Sequence, residues 1–198
     1  MKIFPVPTRF EQESFLLRLY FGAGSEYLQL CVQRAYLDFS RTLHGIGNIP
    51  NVRNKAAVEV KQALMALRDD RKVIQETFDE WHRETCFRLC SIYKEQGYKN
   101  FHVGQAQKWL NMSLKYIYVI GDQRLPGYDH LNQFCHVPLD WIIVQRLQEE
   151  YSAPELSSSW SRLDNYEEYL RFQQWIRKTF VNSAPLAVEF NLWQHDTD

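Results

Sequence analysis

The run QKWLNMSLKYIYVIG, residues 107–121, constrains the fold more than any other stretch. Trp109, Met112, Tyr116 and Val119 or Ile120 recur at helical spacing, and Leu110, Leu114 and Ile117 widen the stripe. A helix apolar this far round, from about residue 104 or 105 to Ile120, has to be nearly buried, with other elements packed round it. Lys108 and Lys115 sit on that helix. Buried ammonium groups are costly, so each must reach a cleft or a partner of opposite charge.

The rest of the chain supplies the elements for such a shell. Helical patterns run from Arg9 to the stop at Gly22 and Gly24, then over 26–43, 53–68 and 71–95. After the core helix, 121–135 reads as a polar loop. Pro138 opens another helix with Asp140 in its first turn. Residues 152–161, rich in serine, look like a linker. Asp164 caps a helix through about Phe180, and Pro185 starts a last one through Trp193. No strand alternation or repeat stands out. The chain reads as all-α, a single domain over 1–198 with two helical lobes, about 1–97 and 98–198, around a cleft.

Composition narrows the function classes. A net charge of −1 argues against a uniformly basic nucleic-acid-binding surface, although a local basic face needs only a few cations. The 6 Trp, 11 Tyr and 12 Phe are enough for some Trp and Tyr to line a cleft as well as fill the core. Cys31, Cys86, Cys90 and Cys135 form no C-x-x-C pair, which fits a reducing cytoplasmic setting. MKIFPVPTRF lacks the apolar stretch of a secretion signal, and no run reaches membrane-spanning length. His82, Cys86 and Cys90 share one helical stripe, but three ligands in a row on one helix span too far for one zinc ion, and no metal site is expected. Arg34, Asp38 and Arg41 read as an exposed ion-pair stripe.

QKWLNMSLKYIYVIG followed by VPLDWIIVQRL resembles the catalytic core of the archaeal-type 8-oxoguanine DNA glycosylases, a group of the helix-hairpin-helix DNA glycosylase superfamily. FQQWIRKTFVNSAPLAVEFNLW resembles that group's closing segment, and the likeness spans roughly Tyr98 to Trp193. The resemblance implies a DNA glycosylase with AP-lyase activity on an oxidised purine. Lys108 would be the Schiff-base nucleophile and Asp140 the essential acid. Glu189 and Trp193 would hold the flipped base, by hydrogen bonds and by stacking. Glu189 departs from the group's usual aspartate, which bears on base specificity. YKNFHVG, residues 98–104, falls in the hairpin slot, where Gly104 would let backbone amides approach a DNA phosphate and Lys99 would add a contact. Lys115 reads as a phosphate-binding or structural lysine, with a weaker claim as nucleophile. The implied partner is double-stranded DNA with a damaged base, bound by a monomer without a cofactor. The alternative is a relative that keeps the fold and binds nucleic acid or protein without chemistry.

Overall fold

The computed structural model describes residues 5–47, 49 and 51–194. Eight α-helices follow one another, with no strand among the described residues: α1 Arg9–Phe21, α2 Tyr27–Ser40, α3 Val52–Asp69, α4 Gln75–Glu95, α5 Val103–Ile120, α6 Trp141–Tyr151, α7 Tyr166–Thr179 and α8 Pro185–Gln194. Two 3₁₀ turns, Asp129–Leu131 and Trp160–Arg162, interrupt the loops. The all-α reading is therefore correct.

The shell is built round α5, in which 15 of 18 residues are buried. Its closest neighbour is α2, which offers Cys31, Val32 and Ala35 at the contact and so lets the two backbones come close. The fully buried Trp109 uses this closeness. Its indole N–H donates to Val32 O at 2.9 Å, and its ring meets those of Tyr36 and Phe39. A buried indole without an acceptor would be unfavourable, so the bond fixes how α2 and α5 lie together.

At its other end α5 passes beneath the Trp160–Arg162 turn. Gly104 N–H donates to Leu163 O at 2.8 Å, and a Cβ on Gly104 would stand 1.7 Å from Trp160 O. Gly104 therefore serves packing inside the protein. Its amide is already bonded and is not offered to a DNA phosphate, which corrects the role expected for it. Lys99 stands exposed on the preceding connection.

Several boundaries differ from the sequence reading, each for a local reason. α4 starts at Gln75 and not at 71, because Asp70 Oδ1 accepts from Lys72 N and Thr77 Oγ1 from Ile74 N. These bonds hold 70–74 in a turn. Asn165, and not Asp164, caps α7 by accepting from Glu167 N and Glu168 N, while Asp164 pairs with His102 at 2.7 Å. Pro138 lies outside α6, whose cap is Asp140. Thr8 caps α1 in a reciprocal box with Glu11, as its sequence suggests, but α1 buries no residue. Its apolar face, Phe15, Leu16 and Leu19, is exposed.

The Gly104 contact yields a sharp test. Gly104→Ala sets a methyl group against a backbone carbonyl that cannot rotate away. We expect a loss of about 3 kcal/mol or failure to fold, read by urea denaturation.

Candidate functional site

Lys108, Met112, Lys115, Tyr116 and Val119 recur at the spacing that keeps residues on one side of a helix. Together they form one wall of a cavity of about 800 Å³. The remaining walls come from Arg34, Leu37 and Asp38 of α2, Arg41 at its C-terminal cap, Tyr20 of α1, the start of α6, Trp160, and Trp193 of α8. Both lysines on the buried helix thus find an opening, and each also has a carboxylate.

Lys108 Nζ donates to Asp140 Oδ2 at 2.7 Å, with side chains only 4% and 17% exposed. Asp140 is the N-cap of α6, and its other oxygen, Oδ1, accepts from Ile143 N at 2.9 Å. The positive end of the helix favours a carboxylate there. The pair does not rely on side-chain flexibility to meet. Gln107, next to Lys108, clamps Leu139, next to Asp140. Its Nε2 donates to Leu139 O at 2.9 Å, and its Oε1 accepts from Leu139 N at 3.2 Å. Two neighbouring residues on α5 therefore fix two neighbouring residues at the mouth of α6.

Behind the clamp lies a buried polar chain. Gln107 Oε1 accepts from Asn111, whose amide also donates to Tyr169 Oη at 2.8 Å. Tyr169 joins His136 Nδ1 at 2.8 Å, and His136 Nε2 lies 2.7 Å from Asp79 Oδ1. Arg177 binds both oxygens of Asp79. Asn111 Oδ1 can only accept, so the bond at 3.1 Å puts the proton of His82 on Nε2. Burial pushes the pKa values of His82 and His136 below the ordinary histidine value, with Asp79 opposing in both cases. Burial pushes Asp79 up, but hydrogen bonds from His136 and Arg177 outweigh it and hold the carboxyl well below the usual range. His136 therefore lies in the core and does not line the Asp140 cleft. His82 is committed to this chain, and no group of three metal-binding side chains gathers among the described residues. The four thiols are unpaired. Burial pushes those of Cys90 and Cys135 up to about 12, which leaves them inert at neutral pH.

The second lysine has its own partner. Lys115 Nζ lies 2.6 Å from Glu189 Oε1, with side chains 12% and 0% exposed. Burial pushes the Glu189 carboxyl up, opposed by Lys115 beside it. Glu189 does not reach the cavity wall. Lys115 stands in front of it, and Trp193, 47% exposed, lines the wall nearby.

The α2 side of the cavity was misjudged from sequence. Arg34 and Asp38 pair at 3.5 Å, but they line the cavity and do not decorate an outer surface. Asp38 accepts from Tyr116 Oη at 2.6 Å, and Tyr116 Oη meets Tyr20 Oη at 2.9 Å. Burial raises the Asp38 carboxyl, partly offset by Tyr116 and Arg34. Four cations, Arg34, Arg41, Lys108 and Lys115, face two acids, Asp38 and Asp140. The cavity is locally positive in a chain whose net charge is −1.

No family model, curated protein or solved structure matches the chain. No helix among the described residues is long and apolar enough to cross a membrane.

Two measurements follow from the buried chain. Below about pH 6.5 the unfolded chain binds protons at His82 and His136 that the folded chain refuses. Stability is full above that pH and falls on acidification, with a further loss below about pH 4 as Asp79 is protonated. The urea midpoint should drop between pH 7.5 and 5, with a shallower slope in His82→Gln. Gln107→Ala leaves the Leu139 N–H and C=O unpaired. It should cost about 2–3 kcal/mol in the same assay.

Proposed function

We propose that the protein is a DNA glycosylase with AP-lyase activity on an oxidised purine of the 8-oxoguanine type, built on a helix-hairpin-helix glycosylase-like scaffold. The observation that carries this reading is the Lys108–Asp140 pair at 2.7 Å, set in a positively charged, aromatic-lined cavity. A flipped nucleotide brings its sugar C1′ to Lys108. Asp140 accepts a proton from the ammonium, which frees the amine lone pair for attack. As the N–C1′ bond forms, the C1′–base bond breaks with its electron pair going to the base. Asp140 passes that proton to the departing base and, a carboxylate once more, faces the positive charge left on the sugar and the Lys108 nitrogen. Asp140 then takes a proton from the Lys108 nitrogen, whose lone pair forms the C=N bond as C1′–O4′ breaks and O4′ takes up that proton; the Schiff base on Lys108 allows strand cleavage by β-elimination. The Gln107 clamp keeps amine and carboxylate in register through these steps.

A second reading, binding without chemistry, is favoured by one observation. In the resting pair Lys108 donates to Asp140, which also caps α6, so both groups are satisfied structurally without a substrate.

Borohydride trapping on an 8-oxoguanine duplex and on an abasic duplex separates the two. The glycosylase reading predicts a covalent adduct that Lys108→Gln abolishes and that Asp140→Asn slows by about 100- to 1000-fold. An adduct on abasic DNA alone would keep the lyase and reassign the base. An adduct that survives Lys108→Gln would move the nucleophile to Lys115 or elsewhere. No adduct and no base release would leave the binding protein.

A further inference from the structure

α1 buries no residue and turns an apolar stripe to the outside. We propose that this stripe pairs with its own copy, so that two chains join through antiparallel α1 helices, in place of the monomer that the resemblance implies.

Gln12, Phe15, Leu16 and Leu19 recur at the spacing that keeps residues on one side of a helix. The three apolar members are 62, 61 and 67% exposed. Leu17 and Phe21, on the opposite side, pack against the core, so the stripe faces away from its own fold. Pro5 and Pro7 line a groove of about 670 Å³ together with Gln12, Phe15 and Leu16.

The charges of α1 say what covers the stripe. Two arginines, Arg9 and Arg18, balance two glutamates, Glu11 and Glu13. A neutral helix suits neither a DNA backbone nor an anionic membrane surface, both of which draw an excess of cations. Arg9 and Glu13 pair with each other at 3.0 Å on one flank of the stripe. Glu11 and Arg18, two turns apart, share the other flank, and neither has an ion-pair partner among the described residues. Glu11 spends Oε2 on the Thr8 cap and keeps Oε1 free. Glu11 lies four residues before Phe15, and Arg18 three after it. Two α1 helices that run antiparallel about a two-fold axis near Phe15 therefore bring Glu11 to the partner's Arg18, and the symmetry makes the pair twice. The same axis sets the partner's Leu19 against the groove beside Gln12. A parallel pairing would put like charges level with each other. A helix of 13 residues offers less than the roughly 800 Å² per copy of a standard interface, so the dimer forms at micromolar concentration. Pairing also braces α1, whose Tyr20 borders the cavity.

Analytical ultracentrifugation of the whole chain, from about 1 to 200 µM, reads the assembly. Wild type should pass from monomer to dimer with a midpoint on the order of 10–100 µM. Leu16→Glu should stay monomeric throughout and melt within a few degrees of wild type, because the residue is exposed. Arg18→Glu and Glu11→Lys each make both cross-pairs repulsive and should each raise the midpoint about 10-fold. Thr8 still caps α1 in Glu11→Lys. Mixed in equal amounts, the two charge variants form attractive pairs again and should recover a dimer of near wild-type strength. A wild type that stays monomeric over the whole range overturns the proposal and leaves the stripe to a different protein. A dimer that survives Leu16→Glu overturns it too. Charge variants that dimerise like wild type, or a mixture that fails to recover, overturn the antiparallel pairing.

Discussion

The near-complete burial of α5 is the constraint from which the rest of this molecule follows. A helix enclosed on almost every side cannot leave a polar side chain without a partner, and α5 carries several. Gln107, Lys108, Asn111 and Lys115 each draw in a group from another element: the Leu139 backbone, Asp140, the His82 and Tyr169 side chains, and Glu189. Those four demands fix where the start of α6, α7 and α8 can lie. The cavity is the place where enclosure stops, and the two lysines and Tyr116 are the polar groups of α5 that border it.

The shell and its centre were legible in the sequence because they rest on periodicity. The apolar width of 107–121 predicts a buried helix, and seven-residue spacing puts Lys108 and Lys115 on one side of it. The pairing of Lys108 with Asp140 was also within reach, since a carboxylate at a helix start is a local signal. What the sequence hid were relations across distance. Nothing in Arg34 or Asp38 marks them as cavity residues, because an i,i+4 ion pair looks the same on an outer surface. Gly104 resembles a phosphate-binding glycine until the Trp160 carbonyl is seen above it. Glu189 and Trp193 share a helix, yet their fates differ: one is sealed behind Lys115 and the other borders the opening.

Whole-chain charge proved a poor guide. The sum of −1 spreads many compensated surface pairs over the total, whereas the field in a cavity depends on the few groups that face it. Here four cations face two acids, and a third acid, Glu189, pairs with Lys115 from behind the wall. An anionic ligand therefore meets attraction at this opening.

Asp140 answers to two masters of unequal strictness. Capping α6 needs only a short side chain with an oxygen, and asparagine or serine would serve nearly as well. Neutralising Lys108 needs a full charge. One nucleotide change in an aspartate codon gives asparagine, which would keep the cap and leave Lys108 buried without its counter-charge. The helix start is thus easy to conserve by chance, and the charge at it is not.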